Sequence, residues 1–70
     1  MENDNDVIEK WNELKMLVEA NELDVVKNAK GNSSAGVRAR HGLRLLQKKA
    51  ASLVKATLER DKTANKEAGE

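Results

Sequence analysis

The chain has 70 residues, 36% of them charged and 39% hydrophobic, with a formal net charge of +1. It has no cysteine, proline, tyrosine or phenylalanine, and only one tryptophan and one histidine. That limits it to one small domain with a small core, and excludes a disulfide framework or a thiolate metal site. No apolar run approaches the ~18 residues of a membrane span, and the acidic opening MENDND is unlike a signal peptide, so a cytoplasmic protein with no membrane partner is expected.

The small net charge conceals two opposed halves. Residues 1–29 hold eight acids against three lysines, a net of −5, whereas residues 30–62 hold nine bases against two acids, a net of +7. Such asymmetry implies either that the halves pair with each other or that one of them meets an anionic partner.

The first predicted helix spans about residues 5–29. Asn3, Asp4 and Asn5 are good N-caps, and Asp6 and Glu9 sit where the helix dipole favours acids. Val7, Trp11, Leu14, Val18, Asn21, Val25 and Asn28 step by four and three, the spacing of one helix face. Ile8, Leu17 and Val26 widen that stripe. Asn21 interrupts it, and either sets the register or marks a break into two shorter helices. Lys27, Lys30 and then Gly31 signal the end, with Gly31 as a left-handed C-cap.

A loop over about 31–34 follows, with Ser33 or Ser34 expected to cap the next helix. That second helix is predicted from about 35 to 62, with Ala39, Leu43, Leu46, Ala50, Leu53 and Thr57 on its apolar face. The remaining residues 63–70, TANKEAGE, have no apolar side chain larger than alanine and are expected to be a disordered tail.

Two helices, each on the order of 35–45 Å long and joined by a short loop, should fold back as an all-α antiparallel hairpin over residues 1–62. One hairpin buries only one seam. Met16 and Leu23 lie off the first stripe and Leu45 lies opposite the second, so two hairpins are expected to pack as a homodimeric four-helix bundle. Trp11, Leu14, Val18, Val25, Leu43, Leu46 and Leu53 are the expected core and dimer residues. Trp11 has the chemistry to stack on a base, but its place in the stripe favours packing.

At 100° per residue, Arg40, Arg44, Gln47, Lys48 and Lys55 share one arc beside the apolar seam, and Arg38, Lys49 and Arg60 lie on another side. Arginine forks and helix N-termini with small hydroxyl residues suit phosphate oxygens. Lys30, Ser33, Ser34, Arg38, Arg40, Arg44, Lys48 and Lys55 are therefore the candidate phosphate-binding residues. The acids of the first helix offer the opposing reading, a neutralised and solvated bundle face.

The stretch KGNSSAGVRARHGLRLLQKKAASLVK resembles a segment of the chlamydial histone-like protein family and its bacterial linker-histone-like relatives. The matching positions are Lys30, Gly31, Asn32, Ala35, Gly36, Arg38, Arg40, Leu43, Leu46, Lys48, Lys49 and Ala50, and WNELKMLVEAN is similar to that family's first helix. The resemblance covers roughly residues 10–60. It implies a small nucleoid-associated protein that binds and compacts DNA without catalysis or cofactor. Those proteins typically carry a long Lys/Ala/Pro-rich tail, where this sequence reads TANKEAGE. DNA binding is therefore expected to be weak or to depend on dimerisation.

Catalysis is not expected. His41 is the only histidine, and a Ser-His-acid site needs a cleft that a helical hairpin seldom offers. One histidine with scattered carboxylates makes a poor metal site, and GNSSAG lacks the Gly-Lys-Ser/Thr ending of a phosphate loop. Two functions remain: non-specific DNA binding through the second helix, or a structural, protein-interaction hairpin with no nucleic-acid affinity.

Overall fold

A computed structural model describes residues 4–67, with side chains described over 6–62. Two α-helices, α1 (Asp4–Ala29) and α2 (Ser33–Glu67), pack against each other as an antiparallel hairpin measuring 56 × 17 × 15 Å. The all-helical hairpin expected from the periodicity is present. Asn3, one of the expected N-caps, lies outside the described residues.

The connection is tighter than a four-residue loop, because every residue in it has a backbone role. Gly31 has φ = +104°, a conformation that side-chain-bearing residues rarely adopt. Its N–H donates to the Asn28 carbonyl, and the N–H of Asn32 donates to the Lys27 carbonyl. Together these form the paired Schellman bonds that satisfy the last carbonyls of a helix. Asn32 then begins α2: its Oδ1 accepts from the Ala35 N–H at 2.9 Å, and its carbonyl accepts from the Gly36 N–H at 3.1 Å. Asn32, rather than Ser33 or Ser34, is thus the N-cap. Once Gly31 has reversed the chain, Asn32 is the first residue whose side chain reaches back to that amide, and both serines are already helical.

Helix α1 runs unbroken through Asn21. The Asn21 amide is buried and donates to the Ala39 carbonyl at 3.2 Å, so it sets register rather than breaking the helix. A Cβ added at Gly42 would stand 2.6 Å from Asn21 Oδ1, and one added at Gly36 would meet the Asn28 amide. Near the turn the helices therefore approach through small residues, and the apolar side chains buried there are Ala35 and Ala39.

The seam on α1 consists of Val7, Lys10, Leu14, Leu17, Asn21 and Asp24, which are half-buried or buried. It shares Val7, Leu14 and Asn21 with the expected stripe and Leu17 with its widened margin, but takes Lys10 and Asp24 where Trp11, Val18 and Val25 were expected. Two cross-hairpin ion pairs favour this rotation. Asp24 Oδ1 meets Arg38 Nε at 3.1 Å, and Glu13 Oε1 meets Lys49 Nζ at 3.5 Å, both on the flank away from Trp11.

Helix α2 continues to Glu67, past the expected end near Lys62. Residues 63–67 contain no glycine or proline to stop it. Residues 68–70, the remainder of the expected tail, lie outside the described residues.

Two stability predictions follow from the turn and the close approach. Replacing Asn32 with alanine should lower the unfolding free energy by about 1 kcal/mol at fixed protein concentration, through loss of the cap. Gly42→Ala should raise intrinsic helix propensity by about 1 kcal/mol but displace the Asn21 amide from its buried bond, for a net loss of about 1 kcal/mol. In an Asn21→Ala background the same change should become neutral or stabilising. Thermal denaturation of the four chains of this cycle measures the coupling.

Candidate nucleic-acid interface

A two-helix hairpin has two flanks and two outer edges, and here they differ. One flank carries the Asp24–Arg38 and Glu13–Lys49 pairs. The opposite flank is an open apolar groove between the helices. Leu14 and Val18 of α1 face Leu43, Leu46 and Ala50 of α2, with Arg40, Arg44 and Gln47 at its margin. Of the expected core and dimer residues, Leu14, Leu46 and Leu53 are half-buried in the seam. Trp11, Val18, Val25 and Leu43 remain 47%, 52%, 43% and 47% exposed.

The basic residues divide in the same way. Arg44, Lys48, Lys55 and Lys62 lie within about 40° of the direction opposite the α2 seam, so they form the outer edge of that helix. Arg40 stands between this edge and the groove. All five are exposed, and among the described residues none makes an ion pair. From Arg40 to Lys55 the edge is about 22 Å long at 1.5 Å per residue. Arg38 is on the other flank, committed to Asp24.

Lys30, Ser33 and Ser34 are exposed at the turn, where α2 begins. The capping bond engages the Ala35 N–H, so the helix start presents the amides of Ser33 and Ser34 without using them in the cap. The turn and the edge form two groups of candidate phosphate contacts, one at the end of the hairpin and one along its side.

The sequence reading missed Asp24 and Glu13 as partners of specific bases. The signal was available in principle: once the turn is placed at Gly31 and Asn32, an antiparallel register brings residue 24 beside 38 and residue 13 beside 49. His41 is exposed. Among the described residues no cluster of three potential metal ligands occurs, and no helix is long and apolar enough to cross a membrane.

No curated protein and no solved structure matches the chain. A family model does, over residues 8–63, which takes in most of α1, the turn and the α2 segment bearing the basic edge. On that match the chain belongs to the family of histone H1-like protein Hc1.

Proposed function

We propose that this chain is a non-enzymatic, nucleoid-associated DNA-binding protein, which contacts the phosphates of duplex DNA through the basic edge of α2 without reading sequence. The observation that carries this reading is the alignment of Arg40, Arg44, Lys48 and Lys55, all exposed and none ion-paired within the described chain. Membership of a histone H1-like family supports it. An edge of about 22 Å spans about six phosphates of one strand. Lysine and arginine contacts of this type fix a protein on the duplex but carry no base information.

The turn offers a second contact region. Lys30 and the amides of Ser33 and Ser34 present positive potential at the start of α2. Arg38 can join them, because an exposed pair such as Asp24–Arg38 contributes only ~0–1 kcal/mol and yields to a phosphate competitor.

The protein acts as a homodimer in this reading. Its accessible surface is 5601 Å², against ~4,300 Å² for a compact monomer of its mass. Among the described residues no large side chain is fully buried. An exposed apolar groove on so small a chain favours a second hairpin packed over it, giving a four-helix bundle. That same groove favours the competing reading, a protein-interaction hairpin with no affinity for nucleic acid.

Titration of random duplex DNA by fluorescence anisotropy at several salt concentrations distinguishes the two. Binding should weaken with salt at a slope of about −0.9 per phosphate contacted. Replacing Arg44 and Lys48 together with glutamine should make that slope shallower by about two units while leaving helicity unchanged. Absence of binding at low salt would leave the interaction hairpin as the function.

Sedimentation equilibrium at micromolar concentration should give twice the chain mass. Leu46→Glu should dissociate or unfold the protein, because it places an unpaired charge in the seam.

A further inference from the structure

The open groove determines which way round two copies fit. Two hairpins packed groove to groove about a two-fold axis have two simple arrangements. With the axis along the hairpin, both turns lie at the same end and α1 packs on α2 of the partner. With the axis across it, the turns lie at opposite ends and like helices pack on each other.

The register within one hairpin distinguishes them. Asp24 stands level with Arg38, Asn21 with Ala39 and Glu13 with Lys49. By the same register Glu22 is level with Arg40, Lys15 with Gln47, and Ile8 with Val54. At 100° per residue, Glu22 and Trp11 lie on the groove side of α1, and Arg40 and Val54 on the groove side of α2. Glu22 and Arg40 are both exposed, and neither makes an ion pair among the described residues.

We infer that the groove binds a second copy of this chain with both turns at the same end, so that Glu22 of each subunit faces Arg40 of the partner subunit. This inference rests on the homodimer proposed above; it engages Arg40 at the dimer rim and leaves Arg44, Lys48 and Lys55 exposed for DNA. In the same-end arrangement an acid meets a base at two symmetric positions, and Trp11 lies over the level of Val54 and Ala51. In the opposite-end arrangement Glu22 falls near the level of Trp11, and a carboxylate is desolvated against an indole. Complementary charge at the rim selects the register even where it adds little affinity.

The areas are also consistent. A face about 39 Å long and about 20 Å wide presents ~800 Å² per copy, the size of a standard interface half. The other flank is a poorer candidate, since its ion pairs already span the two helices.

The chain has no cysteine, so a single Ser33→Cys substitution gives one spin label per subunit at the turn. Same-end packing should give an inter-label distance of about 20–30 Å by pulsed electron resonance, whereas opposite-end packing should give about 45 Å or more. Arg40→Glu alone and Glu22→Arg alone should each raise the dimer dissociation constant about threefold or more, and the double exchange should restore it. A dimer with the long distance, or one that the double exchange leaves weakened, overturns the arrangement while the dimer stands. A monomer by sedimentation overturns both.

Discussion

Close approach of the two helices beside the turn governs the rest of this structure. Gly36 and Gly42 have no room for a Cβ against Asn28 and Asn21, and Ala35 and Ala39 are the apolar side chains buried between the helices. Where backbones come this near, large side chains cannot fit between them. They turn outward, so Val18, Val25 and Leu43 line a face instead of filling a core. The stability of the hairpin then rests on the turn, on one buried asparagine and on a partly covered seam, a narrow base for a chain this small. The same constraint explains why a residue as polar as Asn21 sits at the best-buried point of α1. Its amide reaches the Ala39 carbonyl, which leucine could not satisfy, and it fits a space left by a missing side chain.

Much of the fold was legible in the sequence. Two apolar repeats of helical period, separated by glycine and a polar residue, specify a helical hairpin, and a family resemblance over roughly residues 10–60 agrees with the family match over 8–63. The rotation of α1 was less legible. Val7, Leu14 and Asn21 recur every seven residues and belong to either of two overlapping stripes, one through Trp11, Val18 and Val25, the other through Lys10, Leu17 and Asp24. Hydrophobicity favours the first. The ion pairs and the small residues of α2 select the second, and both depend on what α2 places opposite α1 rather than on α1 alone. The cap was misassigned for a similar reason. Three adjacent residues have capping chemistry, and only the backbone reversal at Gly31 decides that Asn32 occupies the position.

The candidate site was legible in kind but not in grouping. Helical spacing alone placed Arg40, Arg44, Lys48 and Lys55 on one arc, and all four are exposed, Arg44, Lys48 and Lys55 on the outer side of α2 and Arg40 between that side and the groove. Arg38 lies on the other flank, where the same spacing puts it, because residues 38 and 40 are 200° apart around a helix. What periodicity cannot supply is which bases find an acid across the hairpin. Of the acids on α1, Asp24 and Glu13 pair with Arg38 and Lys49. The opposed charges of the two halves therefore serve both readings considered from the sequence: some pair within the molecule, and the outer edge of α2 keeps its cations.

That division bears on how a chain with a net charge of only +1 would attract a polyanion, as proposed above. Potential at a surface depends on local arrangement within about a Debye length, roughly 8–10 Å at physiological salt, more than on the sum over the molecule. The acids of α1 that neutralise the total are held, in part, on the ion-paired flank. The outer edge of α2 lies on the far side of that helix, about one helix diameter away. Under the proposed function, a duplex approaching this edge would meet Arg44, Lys48 and Lys55 before it senses the carboxylates of α1 behind them. In the proposed same-end dimer each copy would present its edge on an opposite side of the bundle. Two such edges, with two turns at one end, would let one small protein hold two DNA segments at once, and second-segment capture then depends on dimer stability rather than on any added charge.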